Sequence, residues 1–142
     1  MQYINVTIEL LKTYSSSKSM KELLALAIWF KMQHSNSVIW NVTEYKLRKG
    51  LRIGRPKAQR LIRDMKESSL FSVEGNKVVV SSFRDHTTKW TRKGKEYRGG
   101  MVCKFEVKEY TMKELYNLIN EKLFVYPICA AAHKDCCLKA SD

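Results

Sequence analysis

The chain has 142 residues, 44% hydrophobic and 11% aromatic, the size and composition of one globular domain; a disordered or collagen-like chain is excluded. Twenty-six Lys and Arg against fourteen Asp and Glu leave a formal net charge of +12, so the expected partner is a polyanion: DNA, RNA or an anionic membrane surface. The longest apolar run, Leu23 to Phe30, has eight residues against the roughly twenty of a membrane helix, and the start lacks a signal-peptide pattern, so a cytoplasmic protein with four reduced cysteines is expected, without a membrane partner.

Residues 3–10 alternate strictly, with Ile4, Val6, Ile8 and Leu10 on one side and Tyr3, Asn5, Thr7 and Glu9 on the other. That is the pattern of a half-buried strand. A polar loop, Ser15 to Lys18, follows. Ser19-Met20-Lys21-Glu22 has the form of a capping box, with Glu22 reaching back to the Ser19 backbone. It opens a first helix to about Gln33, in which ten of the thirteen residues from Met20 to Met32 are apolar. A helix apolar nearly all round belongs inside the domain. Val38-Ile39-Trp40 suits a brief strand. Thr43 caps a second helix to about Lys49, and Gly50 breaks it. After a tight linker, Leu51 to Gly54, a third helix starts near Arg55. Pro56 falls in its first turn, where a missing N–H costs nothing. This helix runs to about Ser68, and Ala58, Leu61, Ile62 and Met65 form its core face.

Leu70 to Val73 and Val78 to Val80 read as a β-hairpin, because Gly75-Asn76 supplies the positive-φ residues of a tight turn. Residues 84–100 are basic and contain Gly94, Gly99 and Gly100, which predicts a loop or a long loose hairpin. Cys103 to Val107 alternates again and is a natural partner for the strand at 3–10. Thr111-Met112-Lys113-Glu114 is a second capping box, opening a helix with Leu115, Leu118, Ile119 and Leu123 inward; Pro127 ends it. The tail at 128–142 is weakly patterned.

Residues 20–83 therefore run helix, short strand, helix, tight turn, helix, hairpin. The stretch from Thr43 to Lys66, followed by Ser68-Ser69-Leu70-Phe71, resembles a winged helix-turn-helix domain. The resemblance implies an α+β fold in which the third helix is the recognition helix and the hairpin is the wing. A small antiparallel sheet and a C-terminal helix extend it within a single domain, 1–142. In place of the usual Ser or Thr at the head of the recognition helix stands Gly54, a weaker cap.

Charge is concentrated where that resemblance would use it. Residues 43–66 hold nine of the 26 basic side chains and only two acids, Glu44 and Asp64. Arg55 and Lys57 sit at the start of the third helix, and Gln59, Arg60 and Arg63 lie off its apolar face, with Lys66 further along. Arg pairs bidentately with guanine and Gln with adenine, so such a face can read sequence. Lys77, near the hairpin turn, suits a phosphate contact. A second basic cluster, which includes Arg92, Lys93, Lys95 and Arg98, is interleaved with Trp90 and Tyr97 and suits backbone contact or stacking.

The expected function is sequence-specific binding of double-stranded DNA, by a transcriptional regulator or a phage or plasmid origin binder. RNA binding and a protein–protein role for the winged helix are the alternatives, and homodimerisation stays open. No cofactor is expected. Cys129, His133, Cys136 and Cys137 are potential zinc ligands, but they form one local run rather than the two separated pairs of most structural sites. No catalytic constellation stands out, so a binding protein rather than an enzyme is expected.

Overall fold

The computed structural model describes residues 2–86, 90–97 and 101–124. The fold is mixed α+β, as expected. In chain order it runs β1 (Tyr3–Thr7), α1 (Ile8–Thr13), α2 (Lys18–Gln33), β2 (Val38–Trp40), α3 (Glu44–Leu51), α4 (Arg55–Glu67), β3 (Phe71–Glu74), β4 (Lys77–Val80), a 3-10 turn at Phe83–His86, β5 (Trp90–Arg92), β6 (Lys95–Tyr97) and β7 (Val102–Glu106). A last helix, α5, spans residues 112–124 of the described chain.

The first strand is shorter than its alternation predicts. The Thr7 hydroxyl accepts from the Leu10 N–H at 3.3 Å, and this cap turns Ile8–Thr13 into a helix. Burial explains the switch. Leu10 and Leu11 are adjacent and both inside, which a strand with one solvated face cannot achieve but a helix can. The second correction concerns α2. Its cap is Ser17, accepting from the Met20 N–H at 3.2 Å, so the helix begins at Lys18 and Ser19 already lies within it. Glu22 therefore does not fold back on a cap. It sits in the second turn as the first of a buried run that continues to Phe30.

β2, β4 and β3 form one antiparallel sheet in the order β2-β4-β3. Gly75, with φ of 58°, makes the β3–β4 turn, as its sequence position requires. With α2, α3 and α4 this arrangement is compatible with a winged helix. Thr43 caps α3 as expected, accepting from the Lys46 N–H at 3.2 Å. Gly50 does not break α3. The helix continues through Leu51 and stops at Arg52, which takes the left-handed conformation with φ of 55°. Gly50 serves a contact instead: a Cβ there would lie 2.4 Å from Cζ2 of Trp29, so no larger residue lets α3 approach α2 this closely.

β1 and β7 pair antiparallel, Tyr3 opposite Glu106 through Thr7 opposite Val102, as the two alternating segments predict. β5 and β6 form a separate hairpin within the basic segment. The second capping box is present in full: Thr111 Oγ1 accepts from the Glu114 N–H at 3.2 Å, and Glu114 accepts from the Thr111 N–H at 2.9 Å. Those bonds hold the Glu114 carboxyl below its ordinary range. The buried side chains make one cluster that runs from Val6 and Leu11 through Leu24, Leu47 and Leu61 to Phe105, Leu115 and Ile119. Among the described residues no helix is long and apolar enough to cross a membrane.

Candidate nucleic-acid interface

Helical spacing turns Ala58, Leu61 and Met65 of α4 into the core. Away from that face stand Arg55, Gln59, Arg63 and Lys66, all exposed. Gly54 starts the helix without a side-chain cap, and its first turn holds Pro56 and no acid. α4 therefore supplies no acid of its own to meet the positive end of the helix dipole.

Glu44, in the first turn of α3, organises the near edge of this face. Arg55 Nε lies 3.2 Å from one carboxylate oxygen, and Gln59 Nε2 donates to the other at 3.2 Å. Arg63 Nε is 3.9 Å from Asp64. The side chains of Arg55 and Arg63 are 70% and 71% exposed. Surface pairs of this kind contribute about 0.2–1 kcal/mol each, so a phosphate or base edge can displace them.

Two of the expected contacts point elsewhere. Lys57 Nζ is 2.7 Å from one oxygen of Glu22, and the Arg60 guanidinium pairs with the other. The Glu22 side chain is only 1% exposed, and each cation about a third. Removing a carboxylate from water costs several kcal/mol unless charge and hydrogen bonds compensate it. Lys57 and Arg60 thus hold α4 against α2. Their place off the apolar face was legible in the spacing of α4. The acid across the helix pair was not, because Glu22 reads as part of a cap.

At the β3–β4 hairpin, Lys77 opens β4 beside the Gly75-Asn76 turn, its Nζ 3.8 Å from Glu74 and 6.0 Å from the centre of the Trp40 ring. In the basic segment, Arg92 ends β5 and Lys95 begins β6. Lys93 and Gly94 form the turn between them with φ of 53° and 77°. Lys93 and Lys95 are exposed. Arg98 lies outside the described residues, as do Cys129, His133, Cys136 and Cys137. Among the described residues no cluster of three or more His, Cys, Asp or Glu could hold a metal ion. Cys103 is buried on β7, and burial pushes its thiol up to about 11, so it stays protonated near neutral pH.

Sequence reasoning missed other groups. Lys18, Arg52 and Lys113, with the already expected Lys57, border a cavity of about 350 Å³ between the start of α2, the α3–α4 turn and the start of α5. Lys18 and Lys113 are far from the other two in the chain, and only the fold gathers them. Trp40 and Tyr45 were also missed, and both are largely exposed. Their signal was present: a Trp at the end of a three-residue strand has little core to enter.

Comparisons with protein families, with curated proteins and with solved structures return no match for this chain.

Proposed function

We propose that this chain binds double-stranded DNA in a sequence-dependent manner, as a transcriptional regulator or a replication-origin binder of a phage or plasmid. The reading is carried by one observation: the outer side of α4 exposes Arg55, Gln59, Arg63 and Lys66, off the Ala58, Leu61 and Met65 face that fixes the helix on the core. α4 would enter the major groove, with Gln59 and Arg63 at base edges and Arg55 and Lys66 on phosphates. Lys77 at the wing and the exposed Lys93 and Lys95 would add backbone contacts. The net charge of +12 supports the same partner class.

Selection from a random duplex library tests the reading. A short motif should be enriched. Arg63→Ala and Gln59→Ala should each lose about 1–3 kcal/mol of discrimination at one base pair of that motif, with the rest retained. Enrichment of no motif, together with equal competition by structured RNA, would contradict duplex recognition.

A further inference from the structure

A cleft of about 660 Å³ opens between the end of α2, β2 and α3, on the side of α3 away from the face of α4 described above. Trp29, Trp40 and Tyr45 line it, together with Lys46, Lys49 and Arg52. Trp40 is 60% exposed and Tyr45 67%. Each of these two rings has an ammonium group beside it. Lys49 Nζ lies 5.8 Å from the centre of Tyr45, and Lys77 Nζ 6.0 Å from that of Trp40. Lys46 Nζ donates to the Trp40 carbonyl at 3.2 Å, which leaves its charge uncancelled. Among the described residues Lys46, Lys49 and Arg52 make no ion pair within 4.0 Å, although Arg52 feels the Glu114 carboxylate at longer range. One acid, Glu109, lines the cleft.

Exposed aromatic rings, each with an ammonium near one face, match a nucleotide: the base stacks on the ring and its phosphate meets the ammonium. A paired base keeps both faces inside the duplex, so only an unpaired one can use these rings. The position of Trp40 adds to this. The N–H of Asn41, next to it, donates to the Asn76 carbonyl in the wing turn at 2.8 Å, so the cleft adjoins the wing.

We infer that this cleft binds an unpaired DNA strand, with bases stacked on Trp40 and Tyr45 and phosphates on Lys46, Lys49 and Arg52. The choice of DNA over RNA rests on the duplex-DNA reading of α4; single-strand stacking in the cleft does not. Binding of a twelve-residue oligodeoxythymidine to the full chain, followed by tryptophan fluorescence and by anisotropy of a labelled strand, tests the inference. The parent should show quenching that saturates. Trp40→Ala and Tyr45→Ala should each weaken binding about 5- to 150-fold. Tyr45→Phe, which keeps the ring, should bind within about 2-fold of the parent, on the same stacking argument. Unchanged thermal melting confirms that the variants are folded, and duplex affinity should stay within about 2-fold, since the rings cannot reach paired bases. Alanine variants that bind the single strand as well as the parent would overturn the inference, whatever the duplex result. A tighter grip on oligouridine than on oligodeoxythymidine would overturn the choice of DNA. A concentration-dependent dimer lost in both alanine variants, without single-strand binding by the parent, would give the rings to a second copy of the chain instead.

Discussion

Lys57→Met combined with Arg60→Met is expected to lower the unfolding free energy by about 3–5 kcal/mol, the usual cost of leaving a buried charge unpaired. Glu22 is almost fully enclosed, and these two side chains are its charge partners. Either cation alone leaves the other in place, so each single variant should lose much less. Adding Glu22→Leu to the double variant should restore most of the stability, because an apolar trio of similar volume needs no compensation. Urea unfolding of the parent, the double and the triple variant, with unchanged m values, measures this. A double variant as stable as the parent would mean that α2 and α4 do not depend on the Glu22 pairs.

The second large effect belongs to the core under α4. Leu61 is fully buried, and Leu61→Ala should cost about 2–5 kcal/mol through lost transfer energy and a residual cavity. Gln59, two residues earlier, makes one surface hydrogen bond to Glu44, and Gln59→Ala should stay within about 0.5 kcal/mol of the parent. The pair separates the two faces of one helix: one change is expected to damage folding and the other, on the proposed function, DNA discrimination. Equal loss of stability in both variants would contradict the assignment of the buried face.

Local rules carried most of the fold. Thr43 and Thr111 cap the helices they head, Gly75 makes the β3–β4 turn, and the two alternating segments at 3–7 and 102–106 pair with each other. Each of these depends on a few neighbouring residues, which is why the sequence reveals them. The departures arise where tertiary packing decides. Adjacent burial of Leu10 and Leu11 converts the last three residues of an apparent strand into the start of a helix. Contact with Trp29, rather than helix breaking, accounts for Gly50.

The candidate interface divides along the same line. The exposure of Arg55, Gln59, Arg63 and Lys66 follows from the 3.6-residue period of α4 and the position of Ala58, Leu61 and Met65. The inward engagement of Lys57 and Arg60 depends on an acid more than thirty residues away in sequence. The aromatic cleft depends on three elements meeting, and no single segment announces it.

The central claim, duplex DNA held by α4 and the wing, is tested most directly by the salt dependence of binding. Each neutralised phosphate releases condensed counterion, so the logarithm of affinity falls against the logarithm of salt with a slope of about −0.9 per contact. The measurement is a salt titration of the parent and of the variant Arg55→Gln, Lys66→Gln, Lys77→Gln on a selected duplex and an unrelated one. The account predicts a steep slope for the parent, flattened by up to about 3 units in the variant on both duplexes, with the preference for the selected duplex preserved because Gln59 and Arg63 remain. A parent slope near zero, or one that the three substitutions leave unchanged, would contradict it.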